Sequence, residues 1–413
     1  MRNTFAMLDW DAHYAARASR MAASEIRELL KLLDQPDIIS FAGGIPDPEL
    51  FPLDAIRASY DGILSDPARA ALALQYSVSE GYAPLRQWLA DYMGTLGVPC
   101  DADNIIITNG SQQALEFLGR LFINPDSQVM VARPTYLGAL QAFNSYQPTY
   151  VPFPETAADE AAIAAKGSPR FGYIMPDFQN PTGVSLTMEQ RLAALDLAER
   201  LDMPLIEDAA YEKLRYEGEA LPPLMAIEAE RKGGIDNGRV IYSGTFSKTV
   251  VPALRLGWLV APKAVISKLV LIKQASDLHT STLNQMVMYE VASKTMLSNL
   301  ERIRATYNQR RHATLNALEK HMPASVSWTK PQGGMFIWVT LPDGMDGAEV
   351  LGRAIEDARV AFVPGSAFFA DRSGRNTLRL SFSLMTDAKI DEGIKRLGAL
   401  LSTMIGEAQQ AAE

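Results

Sequence analysis

The chain has 413 residues, 47% of them apolar and 21% charged, with a formal net charge of −9. That length exceeds what one hydrophobic core ordinarily serves, so two domains are expected, and an acidic balance without a basic block argues against a nucleic-acid partner. One cysteine (Cys100) and four scattered histidines rule out an intramolecular disulfide and leave no zinc-ligand spacing, so hard chemistry falls to carboxylates or to an organic cofactor.

The first residues lack a basic segment followed by an apolar one, and no apolar run is long enough to span a bilayer; a cytoplasmic location with no membrane partner is the expectation. Residues 22–33 place Ile26, Leu29, Leu30 and Leu33 at helical spacing, with Ser24 as a cap. The segment ISFAGGIPDPELFP (39–52) is too rich in glycine and proline for regular structure. It is either a connector or a place where backbone approaches a ligand closely. Tyr76 falls in a polar, aromatic loop before a helix over Pro84–Tyr92.

Short apolar runs then alternate with helical stretches. The runs are 104–108, 128–132, 150–153, 171–175, 204–208, 239–243 and 256–260; the helices fall near 111–122, 135–146 and 187–202. Strands this apolar are buried on both faces, which predicts an α/β domain with a mainly parallel sheet whose ligands lie beyond the carboxyl ends of the strands. After Val260 come helical patterns over 263–277 and 281–320, a helix over 347–358 and a few short strands, which predict a smaller α+β domain joined by a long helix. A short alanine-rich stretch near 157–165 is the one low-complexity segment.

The strand ends carry the chemistry. After 104–108, Asn109-Gly110-Ser111-Gln112 opens a helix, where free N–H groups and the macrodipole suit a phosphate, although Ser111 could simply cap. The run 171–175 leads into PDFQNPTG with Asn180, and 204–208 ends in Glu207-Asp208 with Tyr211 close behind. Adjacent strand residues face opposite ways, so only one of the two acids can point into a site. The run 239–243 leads through Thr245 and Ser247 to Lys248, with Arg255 seven residues later. A lysine alone is ordinarily a solvated rim residue. Set beside a phosphate cradle, an amide, a carboxylate and a phenol, it matches the needs of pyridoxal 5'-phosphate: an anchor, donors to the ring oxygen, a partner for the ring nitrogen and an amine for the Schiff base.

The ordered set GSQQAL, PDFQNPTG, EDAAY, SGTFSK and LRLSF resembles the class I/II, fold-type-I aminotransferases, nearest the 2-aminoadipate and kynurenine/2-aminoadipate group. SEIRELLK, LQYSVSEGYAPLR and KQASDLHTSTLNQ extend the likeness over nearly the whole chain. The resemblance implies a seven-stranded, mainly parallel sheet in a large domain (46–295), a small C-terminal domain (296–413) and an N-terminal arm (1–45). It also implies that Lys248 forms the Schiff base, that Asp208 pairs with the pyridine nitrogen and that Asn180 and Tyr211 meet the ring hydroxyl. Ser111, Gln112, Thr245, Ser247 and Arg255 would hold the phosphate, and Tyr136 would lie over the ring. Tyr76 would reach the neighbouring subunit's phosphate, so a homodimer is expected. Arg379 would grip the substrate α-carboxylate, Gly44 would fold over the substrate, and Arg27 with Ser24 would meet a distal carboxylate. The implied reaction moves an amino group from an amino acid (2-aminoadipate, aromatic or aliphatic) to a 2-oxo acid such as 2-oxoglutarate. A β-lyase or decarboxylase on the same fold is the nearer alternative, and a sensory module a more distant one.

Overall fold

The computed structural model describes residues 8–21 and 37–412. The helix expected over 22–33, and with it Ser24 and Arg27, lies outside them. In chain order the strands are Ile39–Ser40 (β1), Ile105–Thr108 (β2), Gln128–Val131 (β3), Thr149–Pro152 (β4), Gly172–Ile174 (β5), Leu205–Asp208 (β6), Val240–Thr245 (β7), Gly257–Val260 (β8), Ser327–Trp328 (β9), Phe336–Thr340 (β10), Val360–Ala361 (β11), Val363–Pro364 (β12) and Thr377–Ser381 (β13).

Seven of them form the main sheet in the order β2-β8-β7-β6-β5-β3-β4. All pairs are parallel except those of β8, which runs antiparallel to both β2 and β7. Because side chains alternate along a strand, each strand feeds two cores. Ile106, Leu259, Ile241, Ile206 and Val129 pack on one face, while Ile105, Ile107, Val260, Val240, Tyr242 and Leu205 pack on the other. Burial on both faces explains why these strands read as unbroken apolar runs. β4, at the sheet edge, is the exception and is only half-buried.

The first of those cores continues without a break into the C-terminal part, through Phe336, Trp338, Val363, Phe368 and Leu378. There β12, β13, β10 and β9 form an antiparallel sheet, and β1 pairs in parallel with β11, tying the chain's early segment to that part. A 40-residue helix, Thr282–His321, runs along both parts and packs on the C-terminal helix Asp387–Ala412. Among the described residues no helix is long and apolar enough to cross a membrane, and no His/Cys/Asp/Glu cluster could hold a metal ion.

Three departures from the sequence reading have local causes. The alanine-rich stretch is a helix, Ala157–Ala164, because alanine is the best helix former and Thr156 with Asp159 makes a capping box. The helix expected over 263–277 stops at Gln274, where the Lys273 carbonyl accepts the N–H groups of Ser276, Asp277 and Leu278. Regular α-helix over 347–358 gives way after Arg353 to a wider turn, which ends at Arg359 with φ of 55°.

Candidate active site

The parallel strands bring Asn109, Asn180, Asp208 and Lys248 to one edge of the sheet, since each follows or ends a strand at its carboxyl end. β8 runs the other way, so the residues that precede it reach the same edge; Gly257 lies opposite both Thr108 and Thr245. That reversal puts Arg255 beside the loop after β2.

Lys248 is half-buried, and its Nζ donates to the Gly44 carbonyl at 3.0 Å. Burial, helped by the charges of Arg379 and Arg255, lowers its pKa from 10.5 to about 8. The Nζ also sits 5.9 Å from the centre of the Tyr211 ring. Asp208 is buried; its Oδ2 accepts from the Tyr173 hydroxyl at 2.7 Å and its Oδ1 from the Ala210 N–H at 3.2 Å. Burial pushes its carboxyl up to about 6 against those two bonds. Glu207 points to the other face, where it accepts the N–H groups of Leu224 and Met225 and so caps the helix Leu224–Lys232. Strand alternation therefore separates the two acids, one into the site and one into the fold.

Arg379 comes from β13 across the gap between the two sheets. Its Nη1 donates to Asn180 Oδ1 at 2.8 Å and its Nη2 to the Ala42 carbonyl at 2.6 Å, while its Nε has no partner although only 1% of the residue is exposed. The guanidinium lies 4.3 Å from the centre of the Phe336 ring and 5.0 Å from that of Phe368. Burial lowers its pKa to about 10. Tyr211 is buried beside the same groups, and burial raises its hydroxyl pKa.

The loop after β2 forms a cradle. Gly110 has φ of 75°, and a Cβ there would lie 2.5 Å from Arg255 Nη2; a Cβ on Gly257 would lie 2.9 Å from Ser111 N. Glycine is required at both positions, by conformation at the first and by close approach of backbone at the second. Ser111 opens the helix Ser111–Phe122, so its N–H is among those without an intrahelical partner. Arg255, itself at φ of 55°, donates to the Asn109 carbonyl. Thr245 Oγ1 donates to Ser247 Oγ at 3.0 Å and accepts the Ser247 N–H at 3.1 Å. Gln112 Nε2 donates to the Gly138 carbonyl at 2.8 Å, which ties the cradle to the turn bearing Tyr136. Asp208, Arg379 and Arg255 all lie near enough to Tyr136 to act on its buried hydroxyl.

Tyr76 stands apart from this group. It is 80% exposed, and its ring meets the edge of His279 at 6.0 Å. Three residues at the site carry no signal in the sequence reading: Tyr173, which holds Asp208, and Phe336 and Phe368, which flank Arg379. Tyr173 lies in an apolar strand, and its partner is 35 positions away.

Residues 50–397 match the model of the class I and II aminotransferases. The chain belongs to that family. Among relatives, this aminotransferase is 43% identical to aromatic-amino-acid aminotransferase 1 of Thermococcus litoralis, over 94% of each chain. Its structure resembles that of LysN, the α-aminoadipate aminotransferase of Thermus thermophilus, solved in complex with N-(5'-phosphopyridoxyl)-L-leucine. That match has 39% identity, a TM-score of 0.87, and coverage of 97% of this chain and 100% of that one. It also resembles the kynurenine aminotransferase of Pyrococcus horikoshii, with 42% identity, a TM-score of 0.89, and coverage of 96% and 98%.

Proposed function

We propose that this aminotransferase uses pyridoxal 5'-phosphate, attached through Lys248, to move the amino group of 2-aminoadipate, an aromatic or an aliphatic amino acid to a 2-oxo acid such as 2-oxoglutarate. The observation that carries this reading is a buried guanidinium, Arg379, with no carboxylate beside it among the described residues and an unpartnered Nε, sharing a site with a lysine held near pH 8. An unpaired buried cation is costly, and an anionic ligand removes that cost.

The residues fit the cofactor at each of its ends. The cradle of Gly110, Ser111 and Gly257, with Arg255, Thr245, Ser247 and Gln112 around it, suits a phosphate dianion. Asp208 offers a carboxylate that no described cation neutralises, which suits a protonated pyridine nitrogen. Asn180 and Tyr211 suit the ring hydroxyl, and Tyr136 the ring face.

Bound pyridoxal phosphate supplies an electron-withdrawing ring that accepts the electron pair left when substrate Cα loses its proton. Asp208 would hold a proton on the pyridine nitrogen. Lys248 Nζ, with its pKa lowered to about 8, would take the proton from substrate Cα and hand it on to the cofactor's carbon. Arg379 binds the α-carboxylate through its planar fork, with Phe336 and Phe368 fixing the plane of that fork. Gly44, whose carbonyl meets Lys248, closes over the substrate side.

Arg27 and Ser24 are assigned to a distal carboxylate on acidic donors. Arg27→Ala should then raise KM for 2-aminoadipate more than for leucine, and equal changes would remove the assignment. The working assembly is a homodimer in which Tyr76 reaches the neighbour's phosphate. Its support is an exposed apolar run of Leu72, Leu74, Tyr76 and Val78. The division into an arm (1–45), a large domain (46–295) and a small domain (296–413), and a cytoplasmic location, go with this reading, since cofactor and substrates are charged metabolites of the cell interior. Glutamate formation from 2-oxoglutarate with a panel of amino donors tests the reaction. Lys248→Ala should lose that turnover and the cofactor's bound absorbance together; turnover retained in the variant would overturn the role of Lys248.

A further inference from the structure

Behind the cradle lies a buried charged group that the reaction itself does not use. Lys273 lies in the last turn of the helix Lys263–Gln274 and is fully buried, with 0% of its surface exposed. Its carbonyl accepts three successive N–H groups, from Ser276, Asp277 and Leu278, and this tight turn folds Asp277 back onto the lysine. Lys273 Nζ donates to both oxygens of Asp277, at 3.1 and 3.0 Å, and to Gln113 Oε1 at 3.1 Å.

The pair is directed at the loop after β2. Asp277 Oδ2 accepts from the Asn109 side-chain amide and from Gln113 Nε2 at 2.8 Å, and Gln113 Oε1 accepts the Asn109 backbone N–H at 2.8 Å. Asn109 is thus held by its backbone N–H, its side chain and, through Arg255 Nη2, its carbonyl. The next two residues are Gly110 and Ser111. Lys273 is buried and Asp277 partly so, and an ion pair that sheds water adds little to stability after its desolvation cost, which directs attention to what this pair orients. Here every side-chain hydrogen bond beyond the pair itself goes to Asn109 or Gln113.

We propose that Lys273 and Asp277 are positioning residues for the anion cradle: acting through Gln113 and Asn109, they set the direction of the Ser111 N–H at the start of its helix and so the affinity for the cofactor's phosphate. The proposal rests on the reading of the cradle as the phosphate site. It assigns no contact with the ligand to either residue, and it separates the phosphate end of the site from the Lys248 end.

The test replaces the pair by apolar residues of similar volume, Lys273→Met with Asp277→Leu, and measures binding of pyridoxal 5'-phosphate and of pyridoxal, which lacks the phosphate, by equilibrium dialysis of the full chain. Losing the orientation of charge-assisted hydrogen bonds should weaken pyridoxal phosphate binding roughly ten- to a hundredfold. Pyridoxal binding and the melting temperature of the cofactor-free chain should stay close to the parent's. Unchanged affinity for pyridoxal phosphate, or equal losses for both ligands, would overturn the proposal. Gln113→Met combined with Asn109→Leu, which leaves the Lys273–Asp277 pair intact and cuts both of its side-chain links to the loop, should show the same phosphate-selective loss; it decides the matter if the Lys273/Asp277 variant does not fold, and retained affinity there counts against the proposal. Failure of the parent chain itself to bind pyridoxal phosphate would instead overturn the cofactor assignment.

Discussion

At Lys248 the deciding quantity is the cost of keeping an ammonium away from water. Its neighbours offer it the Gly44 carbonyl and the ring of Tyr211, while Arg379 and Arg255 repel it. A lowered lysine pKa means that the neutral, nucleophilic form is reached at lower pH. For the cofactor-free chain, the rate of pyridoxal phosphate uptake should therefore rise with pH through about 8, where an ordinary lysine would need about 10.5. Stopped-flow absorbance across roughly pH 6–11 measures this, and an inflection near the ordinary value would show that the burial is relieved in solution. Asp208 shows the opposite case. Burial raises its carboxyl to about 6, and the Tyr173 hydroxyl works against burial by bonding the charged form. Lys248, Asp208, Asn180 and Arg379 were legible because each sits in a short motif with fixed spacing. Tyr173, Phe336 and Phe368 were not, because a tyrosine or phenylalanine in an apolar strand has the same pattern whether it fills a core or supports a charge.

Elements set the cradle's dimensions. β8 runs against its neighbours, so Gly257 at its start faces the loop that opens the helix Ser111–Phe122. A Cβ there would lie 2.9 Å from Ser111 N, Gly110 C and the Gly244 carbonyl, all backbone atoms that cannot rotate away. Gly257→Ala should push the loop outward and cost about 1–3 kcal/mol as overpacking. Part of that should appear as a rise in the dissociation constant for pyridoxal phosphate, measured by dialysis, and part as a lower melting temperature. A variant with parental affinity would mean that the loop's position does not control binding. The alternation in β6 is likewise an element-level result: it sends Asp208 to the site and Glu207 to the N-terminus of the helix Leu224–Lys232, where a carboxylate meets the macrodipole.

Over the whole molecule, two sheets and a 40-residue helix bring Arg379 from near the chain's end to Asn180 and Ala42, 199 and 337 residues away. The exposed run Leu72, Leu74, Tyr76 and Val78 lies outside both cores, and its apolar area is what a second copy would cover. Leu74, 69% exposed, makes no large contribution to the isolated fold. If the proposed homodimer forms through this run, Leu74→Glu should shift the chain from dimer to monomer in sedimentation equilibrium and lower cofactor occupancy at the same time, because Tyr76 would then not be delivered. A variant that stays dimeric would move the interface elsewhere.

The order of motifs along the chain was enough to specify the family and the parallel sheet and to nominate the residues proposed to meet a phosphorylated pyridine, because strand ends, glycine turns and helix starts are local features with local causes. Tertiary structure alone decided which acid of the Glu207-Asp208 pair faces the site, that Arg379 lies between Phe336 and Phe368, and that Lys273 and Asp277 brace Asn109. The contact of Tyr173 with Asp208 joins residues 35 positions apart, and that of Asn109 with Asp277 joins residues 168 apart. Side-chain type at such separations constrains nothing until packing brings the partners together and burial makes each unpaired charge or hydroxyl costly.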